Sequence, residues 1–423
     1  FAGQQDTFLN ISGIEDVKSA VRKCFASLFT ARAISYRREN GFSHMDVDLC
    51  CTVQLMANPG EKASGVMFTV DPDTGFEKVV KVEASYGLGE LVVAGEVNPD
   101  SYTVMKDKHC IIEKELGSKK QRMVKKDGEN LIEDVEKQKQ KEYVLNKEEL
   151  QELARYAQKI EEHYGRPMDI EWVYDEKLDK FFIVQARPET VHSNSSNEIV
   201  TYVLKEEENV IAEGCAVGNG IGCGKVSKLE NPSDMNEFDE GDVLVTERTD
   251  PDWEPVMKKA SAIVTEKGGR TSHAAIVSRE LGVPAIVGAE ESAYDLEEDQ
   301  EVTIDCSSSE GRVMEGNLEF DVQRESLESI PETETDVMLI VGNPSKAFQY
   351  GQLPVDGVGL AREEFIISSH IGKHPLKMIE DEDEKEFVET LSEGIAKIAA
   401  AFYPRKVILR LSDFKSDEYA DLI

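Results

Sequence analysis

The sequence predicts a mixed α/β chain of three domains, and three observations carry that reading. Its 423 residues exceed one domain at about 150 residues each. Two polar stretches break the chain: residues 193–198, read Ser-Asn-Ser-Ser-Asn-Glu, and residues 324–336, crowded with Glu, Ser, Thr and Pro331. Strand-period and helix-period segments alternate on either side of them. The expected domains are 1–192, 199–323 and 337–423, joined by linkers 193–198 and 324–336.

Hydrophobic residues make up 40% and charged residues 31%, a globular profile that excludes a disordered chain. The formal net charge of −35 repels phosphate backbones and anionic lipid, so nucleic-acid and membrane-surface binding are disfavoured. Anionic substrates then require local pockets of cations. The seven cysteines contain no C-x-x-C pair, which signals neither a zinc site nor a disulfide framework and fits a reducing cytoplasm. No apolar run approaches the roughly 20 residues of a membrane helix. Neither Phe1-Ala2-Gly3-Gln4-Gln5 nor Asp421-Leu422-Ile423 reads as a natural terminus, and an internal portion of a longer chain is expected.

In the first block, Val17 to Tyr36 has helical spacing and Leu49-Val53-Leu55 looks extended. Ser64 to Val70 reads as a strand, Asp71-Pro72-Asp73-Thr74-Gly75 as a turn, and Val79 to Ala84 as the hairpin partner. Asn146 to Tyr164 is the clearest helix. Asn146 can cap it, Glu149 completes a capping box, and Leu150, Leu153, Ala154, Ala157 and Ile160 form one stripe. Gly165 and Pro167 stop it.

The hairpin that follows carries chemistry. In Met168 to Tyr174, Ile170 and Trp172 share one face while Asp169 and Glu171 share the other. In Phe181 to Pro188, Gln185 and Arg187 lie opposite Val184 and Ala186. Pairing of 171 with 185 would display two carboxylates, an amide oxygen and a guanidinium on one surface. Mg²⁺ takes such oxygens together with phosphate, and Arg complements the phosphates. The solvated outer face of an antiparallel hairpin accounts for the same spacing.

The sharpest signal is Ala262 to Gly288. A strand enters Gly268-Gly269-Arg270-Thr271-Ser272-His273, a helix begins near Thr271 and closes at Gly282, and a buried strand follows. His273 falls in the first helical turn, where the macrodipole disfavours imidazolium and keeps a neutral nucleophile. Free backbone N–H groups and Arg270 can hold phosphoryl oxygens, and the two glycines allow close approach. That set suits transfer through a phosphohistidine; an ordinary cap contact would explain a lone His. Upstream, Gly214, Gly218, Gly220, Gly222 and Gly224 match no nucleotide-binding fingerprint and read as tight turns of a small β-rich domain.

Thr249-Asp250-Pro251-Asp252-Trp253-Glu254-Pro255, followed by the Gly268–Ala275 loop, resembles the phosphohistidine domain of the phosphoenolpyruvate (PEP) synthases, among the PEP-utilising enzymes. Pyruvate phosphate dikinases, rifampin phosphotransferases and Enzyme I of the sugar phosphotransferase system carry similar loops. Phe1 to Gln5, Ser64 to Phe68, Gly87-Leu88-Gly89-Glu90 and the 169–188 hairpin resemble the later part of an ATP-grasp nucleotide domain. Val341-Gly342-Asn343-Pro344, Gly357 to Ile366 and Leu409 to Lys415 resemble the start of a pyruvate-binding (β/α)₈ barrel.

The resemblance implies a kinase of pyruvate that uses ATP and water, with PEP, AMP and phosphate as products and a swivelling central domain. It makes His273 the phosphorylated residue, with Arg270 and Thr271 handling phosphoryl oxygens. Glu171 and Gln185 become magnesium or nucleotide ligands, Arg187 a phosphate contact and Gln54 part of the adenine hinge. Arg362 and Arg410 would hold PEP or pyruvate. A cytoplasmic homo-oligomer is expected, with dikinase chemistry or a phosphocarrier role as the alternatives. The first ATP-grasp lobe would precede Phe1; the barrel's metal carboxylates and catalytic Cys would follow Ile423. Residues after Asp336 would then require cover from that missing part or from a partner chain.

Overall fold

Residues 5–39, 41–126, 129–189, 198–206, 209–293, 295–308, 310–326, 333–371 and 373–411 are described by the structure, a computed structural model. Linker residues 193–197 and 327–332, the start at 1–4 and the motif at 412–415 lie outside the described residues.

The first body is built on strands β1 (Ala63–Phe68), β2 (Val79–Tyr86), β3 (Asp100–Met105), β4 (Ile111–Glu115), β5 (Gln121–Lys126), β6 (Glu129–Asp134), β7 (Met168–Asp175) and β8 (Lys180–Pro188). Six of them form an antiparallel sheet in the order β4-β3-β2-β1-β7-β8, and β5 pairs with β6. The helix Lys147–Tyr164 starts where expected, since Asn146 and Glu149 make both halves of a capping box, and Gly165 ends it at φ 65°. Its Leu150, Leu153, Ala154 and Ala157 bury against Met67, Val82, Tyr102, Ile170 and Trp172 on one sheet face. Strand alternation therefore turns Lys81, Glu83, Asp169, Glu171, Gln185 and Arg187 to the opposite face.

Nearer the start, one expected helical run is two helices, Ile14–Ala26 and Ala31–Glu39, parted by a 3₁₀ turn at Ser27–Phe29. Residues 47–59 form no strand, although Leu49 to Leu55 were expected to be extended, and Leu55 is 94% exposed.

The second body holds β9 (Glu198–Leu204), β10 (Val210–Val217), β11 (Ile221–Lys228), β12 (Val243–Thr246), β13 (Ala262–Thr265), β14 (Ala285–Val287), β15 (Glu301–Asp305), β16 (Glu310–Glu315) and β17 (Phe320–Ser326). Seven strands close a barrel in the order β10-β14-β13-β12-β11-β15-β16, and β17 pairs antiparallel with β9. Glu198 faces Ser326 and Val200 faces Arg324, so the described edges of both expected linkers are strand, held side by side. The glycine run is corrected too. Gly214, Gly222 and Gly224 sit within β10 and β11, and only Gly218 and Gly220 lie at the turn. At Gly222 a Cβ would meet the Ser261 carbonyl at 2.3 Å, so close strand crossing accounts for it.

The third body has three parallel strands, β18 (Met338–Val341), β19 (Gly357–Arg362) and β20 (Lys406–Arg410), in that order. It was expected to need cover, and the first body supplies cover on one side. Phe76, Val79, Met105 and Ile112 share one hydrophobic cluster with Val341, Val358, Ile398 and Phe402. The Phe76 and Phe348 rings stack at 4.8 Å, and Lys397 pairs with Glu113 at 2.6 Å. Among the described residues no helix is long and apolar enough to cross a membrane.

Candidate functional site

Strand β13 runs into the Gly268–Ser272 loop, and the helix His273–Leu281 opens on His273 itself. Ser272 caps it by accepting from the Ala275 N–H, and Gly282 closes it at φ 70°. His273 Nδ1 lies 2.9 Å from Thr249 Oγ1. Burial lowers the imidazole to about 4, so the ring is neutral at pH 7. Desolvation is the cause, at the helix N-terminus where the macrodipole also disfavours imidazolium. In the tautomer whose Nδ1–H donates to Thr249, the Nε2 lone pair is the nucleophile.

The loop lands on the polar face of the six-stranded sheet. Gly268 N donates to Asn98 Oδ1 at 2.9 Å. A Cβ on Gly269 would stand 2.9 Å from Pro99 Cδ and 3.1 Å from Glu83 Oε2. Gly269 therefore serves the approach of one body to another in this arrangement, whereas Gly268, at φ 110°, is held by the turn toward Ser272. Arg270 Nη1 reaches Asp73 Oδ2 at 2.5 Å and the Ala216 carbonyl at 3.1 Å. Arg279 holds Asp73 Oδ1 through Nε and Nη2, at 3.1 and 2.9 Å. Burial pushes the Asp73 carboxyl up, but Arg279 and then Arg270 outweigh it and hold it well below the usual range. Thr271 Oγ1 donates to Glu83, whose carboxyl burial raises. Arg270 and Thr271 thus bond across the interface to Asp73 and Glu83 in this arrangement.

The hairpin pairs as its spacing predicts, Glu171 opposite Gln185 and Asp169 opposite Arg187. Arg187 Nε donates to Asp169 Oδ2 at 2.7 Å. Burial raises the Asp169 and Glu171 carboxyls, and for Glu171 the neighbouring Asp169 charge adds to it. The register then slips, with Trp172 facing Ile183, so Val184 is the extra residue of a bulge. Its carbonyl accepts from Gln54 Nε2 at 3.1 Å, which anchors the irregular 47–59 segment at the hairpin. Arg279 acts electrostatically on Asp169, so the loop's helix and the hairpin share one electrostatic neighbourhood.

Arg362 and Arg410 stand opposite each other in register at the C-terminal ends of β19 and β20. Arg410 pairs with Glu364, its Nε at 3.0 Å. Arg362 Nε is buried without a hydrogen-bond partner among the described residues, and its guanidinium lies 5.6 Å from the Phe365 ring centre.

Three family models cover this layout: "Pyruvate phosphate dikinase, AMP/ATP-binding domain" over 1–208, "PEP-utilising enzyme, mobile domain" over 238–309, and "PEP-utilising enzyme, PEP-binding domain" over 319–422. The chain belongs to the PEP-utilising enzymes. It is 48% identical to the phosphoenolpyruvate synthase of Escherichia coli, over the whole chain and 57% of that relative. The synthases of Aquifex aeolicus and Synechocystis are 45% and 47% identical, again over the whole chain and over 59% and 56% of their lengths. The chain therefore spans somewhat more than half the length of these relatives.

Sequence reasoning left three residues of this chain without a role. Asp73 was read only as part of a turn, and nothing local marks the partner 197 positions away. Thr249 stood in a quoted motif without a contact, and Asp169 was placed on the polar face without its partner Arg187. The described residues contain no group of three His, Cys, Asp or Glu that could hold a metal. Glu171 and Gln185 supply two side-chain oxygen donors on one face, a set that suits Mg²⁺ only with phosphate oxygens added.

Proposed function

We propose that this chain belongs to a phosphotransferase that makes PEP from pyruvate, ATP and water, releasing AMP and phosphate. One observation carries the reading: a neutral, half-buried His273 opens a helix whose loop docks on the sheet face bearing Glu171, Gln185 and Arg187. The relatives printed as phosphoenolpyruvate synthases support it. In this reading residues 1–192 are the later part of an ATP-grasp domain, 199–323 the swivelling phosphohistidine domain, and 337–423 the start of a PEP/pyruvate barrel, with 193–198 and 324–336 between them.

Gln54, at the Val184 bulge, lines the adenine. Arg187 contacts the nucleotide phosphates, and Glu171 with Gln185 holds Mg²⁺, which supplies charge neutralisation when bound. The half-buried, partly repelled Glu171 carboxyl is a group that a cation would stabilise. Thr249 keeps the proton on Nδ1 so that His273 Nε2 attacks the β-phosphorus and takes the pyrophosphoryl group as AMP leaves. Water then removes the terminal phosphate. Arg270 and Thr271, released from Asp73 and Glu83 when the domain swings, attend the phosphoryl oxygens. In the barrel, Arg362 and Arg410 bind the carboxylate and phosphate of PEP, and pyruvate enolate receives the phosphoryl group.

The match of residues 1–208 to a dikinase nucleotide domain favours one second reading, with phosphate as the acceptor of the terminal group. Product analysis of the full-length protein separates the two. Pyruvate-dependent AMP release without added phosphate is expected; a strict phosphate requirement with pyrophosphate formation would establish the dikinase instead.

A further inference from the structure

We infer that the turn from Asp71 to Phe76 transmits the third body's position to the phosphohistidine loop, and that Phe348 and Gln352 are positioning residues for phosphorylation of His273 by the nucleotide. This rests on the proposed function and adds residues that touch neither nucleotide nor His273.

The turn is stiff. Asp71 Oδ2 accepts from Thr74 N at 3.0 Å and from Thr74 Oγ1 at 2.5 Å, while Gly75 N donates to the Asp71 carbonyl at 2.8 Å. Asp71 N donates to the Phe76 carbonyl at 3.0 Å, which closes the ends on each other. Gly75, at φ 73°, takes the left-handed position the turn requires.

Its two sides face different bodies. On one, Asp73 grips Arg270 and Arg279 of the phosphohistidine loop and helix. On the other, the Thr74 carbonyl accepts from Gln352 Nε2 at 2.8 Å, and Phe76 stacks on Phe348 at 4.8 Å and 9° between planes. Asp73 and Thr74 are adjacent, so within a cross-braced turn one cannot shift without moving the other. Planar stacking and a carbonyl hydrogen bond fix the orientation of the turn as well as its location. The third body thereby sets where Asp73 stands to receive the two arginines. Docking at the nucleotide face depends on that carboxylate, whereas docking at the barrel does not.

The test uses the full-length protein and two single-turnover assays, labelling of His273 by ATP and, separately, by PEP. Phe348→Ala should slow ATP-driven labelling about tenfold and Gln352→Ala about fivefold, with PEP-driven labelling within about twofold of wild type. In an Asp73→Asn background both penalties should shrink, because the contact they act through is gone. Unchanged ATP-driven rates in both variants, or equal losses in the two half-reactions, would overturn the inference. Gln352→Ala, a partly exposed change, keeps the test decisive if Phe348→Ala fails to fold. A wild-type protein labelled by neither donor would instead refute the proposed function, and this inference with it.

Discussion

The chain carries two pairs of arginines, and they are treated differently. Arg270 and Arg279 are buried and share one carboxylate, Asp73, which belongs to another body. Arg362 and Arg410 are register neighbours on adjacent parallel strands; Arg410 has Glu364, while Arg362 makes no ion pair among the described residues. Their settings differ as well: Arg270 follows Gly268-Gly269 and Arg279 lies within the helix His273–Leu281, whereas Arg362 and Arg410 end two strands. The partner decides the use. A guanidinium neutralised across an interface holds two bodies together until they part, and one left without an anion is ready for a ligand.

The largest expected effect breaks the second pair. Arg362→Ala in the full-length protein should lower PEP-driven labelling of His273 by about 10²–10³, as loss of a transition-state cation does, while ATP-driven labelling survives. Breaking the first pair should do the reverse. Asp73→Ala leaves two buried guanidinium groups without their anion, a loss of about 3–5 kcal/mol for a buried pair. ATP-driven labelling should fall by two orders of magnitude or more, with the PEP-driven half retained. Equal effects of the two variants on both half-reactions would erase the distinction between the pairs.

How much of this was legible in the sequence follows the range of each determinant. The helix Lys147–Tyr164 and the 169–188 hairpin were readable because apolar spacing and a capping box act within a few residues. The His273 helix was readable for the same reason, from Ser272 and Gly282. The desolvation that keeps its ring neutral was not, because it depends on what packs over it. The Val184 bulge depends on Gln54, 130 positions away, and the Asp73 clamp on Arg270 and Arg279, both about 200 positions on. Gly222 and Gly224 were read as turn residues because glycine marks a turn and a tight strand crossing equally well. The third body's cover was missed because Phe76, inside an apparently ordinary turn, gives no local sign of facing Phe348.

Smaller effects sharpen the picture of the nucleophile and its platform. Glu171→Gln should weaken magnesium-nucleotide use by about 10–100-fold in KM titrations, with thermal stability nearly unchanged. Thr249→Val should slow ATP-driven labelling about tenfold by freeing Nδ1, without changing the labelled residue. The smallest effect concerns pH. The His273 pKa falls from 6.5 to about 4 on burial, so the folded state favours the neutral ring. Its contribution is whole above pH 6.5 and is lost as pH falls from there toward 4. Denaturant unfolding at pH 7.5 and pH 5 should show that loss in wild type and less of it in His273→Gln; identical pH dependence in the two proteins would contradict the burial argument.

The central claim is that His273 carries the phosphoryl group between the nucleotide face and the barrel. Full-length protein incubated with ATP labelled at the β-phosphorus, then digested under alkaline conditions and mapped by mass, tests it most directly. The expected result is acid-labile label on His273, absent in His273→Ala and discharged into PEP on adding pyruvate. Label on another residue, or PEP synthesis retained by His273→Ala, would contradict the account.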